Sequence, residues 1–170
     1  MKFYILLDIS GSMAGAKIGA LNDAMSNLLA ELKQISCSSN QLIDIAVLSF
    51  GKEVKWMHNH PIKVQDFTWC QLSAGGMTPL GKACIELNIA LTSNHQKHDK
   101  KIYIILLSDG CPTDDYDEGI SILQNVVNEF DDFEGEVSGI TIVESKIADI
   151  ADFYIDDAYC QQVNINIKTK

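Results

Sequence analysis

The sequence predicts an α/β fold: a doubly wound, mostly parallel sheet with one antiparallel edge strand, in a three-layer sandwich with helices on both faces. Short apolar runs that lack polar alternation indicate strands buried on both faces. Amphipathic helical patterns separate these runs, with the spacing that parallel crossovers need. A chain of 170 residues with 46% hydrophobic and 21% charged residues suits one globular domain, so we predict a single domain over residues 1–170.

The elements follow one another in a regular order along the chain. The predicted strands are short segments rich in apolar residues, and they cover residues 3–7, 43–50, 53–57, 102–107, 137–143 and 163–167. The predicted helices place apolar residues at three- and four-residue steps, and they cover residues 18–32, 79–91, 120–130 and 147–153. A turn at Gly51 makes 53–57 the antiparallel edge strand. Phe67, Trp69 and Leu72 are predicted to anchor a loop or short strand onto the core.

Charge, apolar-run length and cysteine spacing argue against several classes of partner and location. The net charge of −10 repels phosphate backbones and anionic lipid heads, so neither nucleic acid nor a membrane surface is an expected partner. The longest apolar run, 102–107, is too short to span a bilayer. The N-terminus lacks a basic segment followed by a cleavage site, and no two of the 5 cysteines have metal-knuckle spacing. We therefore expect a reduced, cytoplasmic protein.

Three polar loops follow predicted strands or precede predicted helices at what should be one sheet edge. In open parallel sheets, loops after the carboxyl ends of strands gather at that edge and bind ligands. All of the candidate ligands offer oxygen, and they are Asp8, Ser10, Ser12, Thr78 and Asp109. Oxygen is the ligand that Mg²⁺ prefers, and Mn²⁺ or Ca²⁺ would fit the same donors. The sequence therefore predicts a divalent cation at this edge.

Each of these residues also has an ordinary structural explanation. Ser10 and Ser12 could be turn or N-cap residues, and Thr78 could cap the helix that begins near Pro79. Asp109 could be a capping carboxylate after a strand. The occurrence of all five oxygen donors on three loops at one edge favours the metal site over separate structural roles.

The residues of these loops resemble a known family. Asp8-Ile9-Ser10-Gly11-Ser12 after an apolar strand resembles the DxSxS signature of von Willebrand factor A domains, and Thr78 and Asp109 resemble the family's later threonine and aspartate. The resemblance covers about residues 2 to 155. It implies a metal-ion-dependent adhesion site, with Ser10, Ser12 and Thr78 as hydroxyl ligands. Asp8 and Asp109 would act directly or through water. It also implies that a Glu or Asp of a partner protein completes the coordination, and that the domain is an interaction module and not an enzyme.

A narrower resemblance concerns two further runs. Gly-Gly-x-Thr-Pro-Leu-Gly and Ser-Asp-Gly-x-Pro-Thr-Asp are similar to the TerY-type tellurium-resistance proteins of bacteria. That similarity implies a role in tellurium resistance or stress response, with kinase-like or phosphatase-like proteins among the partners. Loop residues beside the implied ligands are predicted to contact the partner, and they are Gly11, Met13, Gly76, Met77 and Cys111.

Other functions remain as alternatives. A Mg²⁺-dependent phosphatase or hydrolase could use Asp8 as nucleophile, because aspartyl-phosphate enzymes place an Asp at the end of the first strand. Those enzymes need a second carboxylate two residues later, where this chain has Ser10, and Lys82 is the only basic residue expected near the loops. The chain lacks the glycine pattern of a dinucleotide fold and the lysine of a phosphate-binding loop. His58, His60 and Cys70 could hold a transition metal or simply lie on the surface.

Overall fold

The computed structural model describes residues 1–94, 102–109, 112–115, 117–119, 121–122, 140–142 and 153–155. The strands are β1 (Lys2–Asp8), β2 (Asp44–Phe50), β3 (Val54–Trp56), β4 (Ile62–Lys63), β5 (Ile102–Leu107), β6 (Ile140–Ile142) and β7 (Phe153–Ile155). The described residues include two long helices, α1 (Ala16–Ser39) and α2 (Leu80–Asn94). Two short 3-10 turns cover Gly11–Met13 and Val64–Asp66.

The main sheet is mixed and mostly parallel, as predicted. Its strand order is β3-β2-β1-β5, and β1 pairs in parallel with both neighbours. The β3 strand pairs antiparallel with β2 and forms the predicted edge, while the short β4 adds a second antiparallel pairing to β2. The parallel register places Asp8 opposite Phe50 and Leu7 opposite Leu107. The carboxyl ends of β1, β2 and β5 therefore meet at one edge.

The central strand β1 is buried on both faces because a helix covers each one. Phe3, Ile5 and Leu7 face the cluster that α1 completes, and Tyr4 and Leu6 face the cluster that α2 completes. All five side chains are at most 2% exposed. Each such burial stabilises the fold by about 1.5–3 kcal/mol before conformational entropy is subtracted. This two-sided burial explains why the strand shows no polar alternation.

Helix α1 is longer than the sequence pattern predicts. Its last fully buried residue is Leu32, but Ile35 still packs against the core cluster and the helix continues to Ser39. The hydroxyls of Ser38 and Ser39 donate to the carbonyl of Ile35, so the serine-rich end is helical with its side chains bonded to the preceding turn. Asn40 then terminates the helix in the left-handed conformation, with a φ of 49°.

The segment after β3 anchors as predicted. Phe67 is 1% exposed, and Trp69 and Leu72 pack against the same core cluster. Trp56 packs edge-on against Tyr4, with ring centroids 6.3 Å apart. None of the helices in the described ranges is long and apolar enough to cross a membrane.

The later elements are described in part. The β6 strand lies inside the predicted strand 137–143, and residues 121–122 are helical within the predicted helix 120–130. The short helix predicted over 147–153 is wrong at Phe153, which begins β7 and pairs in parallel with Ile140. The backbone of Phe153 pairs with β6, so it cannot also make the hydrogen bonds of the predicted helix. The remainder of that helix and the predicted strand 163–167 lie outside the described residues.

Candidate functional site

Asp8 ends β1 in a buried position at the carboxyl edge of the sheet. Its exposed fraction is 0%. Its Oδ1 accepts the backbone N–H of Ser10 at 2.8 Å, and its Oδ2 accepts the hydroxyl of Ser108 at 2.5 Å. Ser108 reaches Asp8 because β5 runs parallel beside β1 and ends one residue earlier, at Leu107. Both donors are neutral, so they satisfy the oxygens of Asp8 without offsetting its charge.

Asp109, the next residue after Ser108, joins the same edge through side chains of the first loop. Its Oδ1 accepts the hydroxyl of Ser12 at 2.8 Å, and the Ser12 and Ser10 hydroxyl oxygens lie 2.9 Å apart. The ammonium of Lys17 lies 2.5 Å from Oδ2 of Asp109. A continuous polar chain therefore runs from the Asp8–Ser10 turn to Asp109.

Backbone hydrogen bonds attach the second loop to the first. The N–H of Gly11 donates to the carbonyl of Gly76 at 3.0 Å, and the N–H of Gly75 donates to the carbonyl of Ile9 at 2.7 Å. Gly76 has a φ of +94°, and a Cβ there would lie 2.3 Å from the backbone nitrogen of Lys52. Only glycine fits this close approach, because any side chain would collide with backbone.

Thr78 is placed by contacts with the third loop. Its backbone N–H donates to the hydroxyl of Thr113 at 3.0 Å, and the N–H of Thr113 donates back to the carbonyl of Thr78 at 3.0 Å. Thr78 is 5% exposed. The reciprocal pair holds the second and third loops side by side, so all three predicted loops converge.

Asp114 caps α2 from the third loop. Its two carboxylate oxygens accept the backbone N–H groups of Gly81 and Lys82, each at 3.0 Å. These donors belong to the first helical turn, whose N–H groups have no intrahelical partner. Asp114 is the last residue of the Ser-Asp-Gly-x-Pro-Thr-Asp run, and the structure gives it a capping role that the sequence did not predict.

Four of the five predicted ligands form one hydrogen-bonded group, and the fifth lies on a loop bonded to the others. The four are Asp8, Ser10, Ser12 and Asp109. Ser10 precedes a 3-10 turn without a side-chain capping bond, so the N-cap explanation does not account for its hydroxyl. Thr78 is the fifth.

The predicted partner contacts divide into two groups. Gly11, Gly76 and Met77 are exposed, and Met77 is 68% exposed beside the site. The prediction for Met13 is wrong, because its side chain is 6% exposed and packs into the core cluster on the α1 face. Its apolar side chain gains more from that cluster than from the loop surface. Cys111 lies outside the described residues.

Lys17 is the site residue that sequence analysis missed. Lys82 was expected to be the only basic residue near the loops, but Lys17 supplies the ammonium that contacts Asp109. Helix α1 begins at Ala16, which brings its first turn to the same edge. The sequence did contain a signal for it: a lysine at the start of a helix. A cation is unfavourable at the positive end of the helix dipole, so such a lysine indicates a nearby anion.

The residues present fit a hard divalent cation. The donor set consists of carboxylate and hydroxyl oxygens, and the charge of Asp8 is not offset by its two neutral donors. Within the described ranges no three His, Cys, Asp or Glu side chains cluster, so hydroxyls would have to complete the coordination. The residues that would hold the cation are Asp8, Ser10, Ser12, Thr78 and Asp109.

The histidine pair does not form a comparable group. The ring of His58 packs against Phe67 with centroids 5.1 Å apart, and Nδ1 of His60 lies 3.1 Å from the carbonyl of Pro61. Cys70 is an exposed free thiol. His60 is exposed, as the surface alternative expects, whereas His58 is half-buried and its Nδ1 is buried without a hydrogen-bond partner among the residues that the structure describes.

Cys84 is a buried thiol in α2 that faces the core. Burial raises its pKa from 9.0 to about 12, and the negative charge of Asp114 adds to the rise. The thiol therefore stays protonated at neutral pH, and it lacks the thiolate character of a nucleophilic cysteine.

Solved structures share this architecture. The SpRpn10 VWA domain superposes with a TM-score of 0.61 at 13% identity, covering 91% of this chain and 86% of that one. The chain has a von Willebrand factor A-like fold. The pilus adhesin SpaC from Lactobacillus rhamnosus GG gives a TM-score of 0.65 at 13% identity, and the match covers 94% of this chain and 29% of the adhesin. The PilB minor pilin from Streptococcus sanguinis gives 0.61 at 14% identity, with 94% of this chain and 57% of that chain covered.

These likenesses concern the fold. No protein-family model matches the sequence, and no curated protein matches it. The chain spans 57% of the pilin and 29% of the adhesin, so it corresponds to one part of each of those proteins.

Proposed function

We propose that this von Willebrand factor A-like domain is a metal-ion-dependent protein–protein interaction module. The observation that carries the proposal is the connection of two carboxylates at one sheet edge. Asp8 accepts the backbone N–H of Ser10, and the hydroxyls of Ser10 and Ser12 continue the chain of hydrogen bonds to Asp109. Mg²⁺, or Mn²⁺ or Ca²⁺, would supply an open coordination position for a Glu or Asp of the partner.

Each side chain of the site has a definite task in this proposal. Asp8 and Asp109 supply negative charge, and the hydroxyls of Ser10, Ser12 and Thr78 supply neutral oxygens. The two carboxylates balance the charge of a divalent ion, which leaves it able to attract a third carboxylate. The backbone bonds of the first and second loops hold these donors in place before a partner arrives.

The charge of the protein supports a cation at the interface. With a net charge of −10, the chain repels acidic partners over long range. An acidic side chain could bind this edge only where a local positive charge overcomes that repulsion. Exposed Met77 would add apolar contact next to the ion.

The biological setting is a further part of the proposal. The resemblance to TerY-type proteins supports a cytoplasmic role in bacterial tellurium resistance or stress response, with kinase-like or phosphatase-like partners. We propose binding and not catalysis. An aspartyl-phosphate enzyme needs a second carboxylate two residues after its nucleophile, where this chain has Ser10.

Calorimetric titration of metal-stripped protein with Mg²⁺ and Mn²⁺ tests the metal site. We expect one saturable site in the wild type and no binding in Asp109→Ala. Asp115→Ala is the matched control, because Asp115 is an exposed acid of the same loop. Its binding should equal that of the wild type. Full binding by Asp109→Ala would contradict the proposal.

A second experiment tests the partner. Metal-loaded protein, immobilised and exposed to cell extract, should retain proteins that a chelator releases and that Asp109→Ala fails to retain. Retention that is insensitive to chelator would mean that the partner does not bind through the ion.

A further inference from the structure

Lys17 lies where electrostatics disfavours a cation. It is the second residue of α1, whose first turn contains no acidic residue. The N-terminus of a helix carries a partial positive charge, so a lysine there is unfavourable unless a nearby anion offsets it. Asp109 is that anion, and its Oδ2 lies 2.5 Å from the ammonium.

The ammonium occupies an oxygen that the proposed metal site needs. Ser12 donates to Oδ1 of Asp109 and Lys17 donates to Oδ2, so both carboxylate oxygens have hydrogen-bond partners. A divalent ion bound at Asp109, directly or through water, would stand within a few ångströms of the ammonium. Two cations at that separation repel strongly, so both cannot remain at Asp109.

Lys17 can leave without disturbing the fold. Its side chain is 43% exposed, whereas that of Asp109 is 8% exposed. A lysine has a flexible four-carbon stem, so its ammonium can move into water while the backbone of α1 stays in place. The carboxylate remains at the edge for the ion.

We propose that Lys17 is a built-in cation that competes with the divalent metal for Asp109 and thereby sets the affinity of the metal site. This inference rests on the proposed function, because it needs a metal at Asp109. Metal binding breaks the Lys17–Asp109 ion pair and moves the ammonium away from Asp109. The domain then binds its metal more weakly than its oxygen donors alone would allow.

Titration calorimetry of metal-stripped variants with Mn²⁺ and with Mg²⁺ tests this competition. Lys17→Met removes the charge and keeps most of the apolar stem. We expect it to bind either ion about three- to tenfold more tightly than the wild type, the strength expected of a partly exposed charged hydrogen bond. Lys52→Met is the matched control, because Lys52 is an exposed lysine whose backbone touches the second loop. Its affinity should stay within about twofold, since only long-range charge changes.

The outcomes separate the inference from the function on which it rests. Suppose that the wild type binds metal. If Lys17→Met then binds it no more tightly than Lys52→Met does, the role of Lys17 is overturned and the metal site stands. No binding by either protein would overturn the metal site and this inference with it. Binding by Lys17→Met alone would mean that the lysine closes the site, which supports the inference.

Thermal unfolding gives a second, independent readout. The Lys17–Asp109 pair exists only in the metal-free state, so its loss should matter only there. We expect the Tm of Lys17→Met, measured relative to wild type, to rise when saturating Mg²⁺ replaces chelator. A difference in Tm that is the same in both conditions would overturn the competition.

Discussion

The two carboxylates of the site belong to contrasting surroundings. Asp8 is fully buried at the end of the central strand, and neutral donors hold both of its oxygens. Asp109 is held by the exposed Ser12 and by Lys17, whose side chain is 43% exposed. The Asp8 half is thus part of the folded framework, whereas the Asp109 half depends on contacts that solvent and ions can replace. One site combines a fixed carboxylate with an exchangeable one.

The largest expected effect comes from the framework around Asp8. Gly76→Ala should lower the free energy of unfolding by roughly 3 kcal/mol or more, because it strains a positive φ and forces Cβ against backbone. Urea denaturation measures the loss. Gly75→Ala is the control, since a Cβ at Gly75 meets nothing within 4 Å. Equal stability of the two variants would show that the second loop is not held in place as the structure has it.

A direct comparison of the two carboxylates should give unequal losses. Asp8→Ala leaves the buried donors of Ser10 and Ser108 without their acceptor, which should cost about 2–4 kcal/mol in chelator. Asp109→Ala breaks a partly exposed ion pair and should cost less than about 1 kcal/mol. Chemical denaturation of both variants measures the difference. If Asp109→Ala proves the more destabilising, the contrast between a fixed and an exchangeable half is wrong.

The smallest expected difference concerns the cap of α2. Asp114→Ala should cost about 1 kcal/mol, as loss of a capping side chain does. Asp114→Asn keeps one acceptor oxygen and should cost less. Metal affinity should stay within about twofold in both variants, because Asp114 binds helix N–H groups and not the proposed ligands. Strong weakening of metal binding in Asp114→Asn would place this residue in the site itself.

The core strands β1, β2 and β5 and the edge where they end were predictable because both follow from local patterns. Strand β1 is buried by a helix on each face, so its residues had to be apolar throughout. Parallel strands then bring their carboxyl ends together, which places Asp8 near Asp109 although about a hundred residues separate them. The donors could therefore be assigned to one site from chain order alone.

Other features escaped the pattern because they depend on packing and side-chain reach. Met13 looks like an exposed loop residue in sequence, yet it fills the core cluster beside α1. The serine-rich end of α1 lies beyond the predicted helix, yet it is helical and its hydroxyls bond back to Ile35. The position of Met13 is decided only when the elements pack. The serine contacts are local, but serine is also a frequent turn residue, so residue type alone does not separate a helix end from a turn.

The sequence by itself determined the α/β class, the mostly parallel character of the core sheet and the oxygen chemistry of the three loops. Those features follow from hydrophobic periodicity and residue type, which the chain carries locally. Only the tertiary structure decided which charged groups meet. Lys17 and Asp109 lie 92 positions apart, and Asp114 lies 33 positions from the helix N–H of Gly81 that it caps. Such pairings depend on distances of a few ångströms between elements, which no periodicity along the chain encodes.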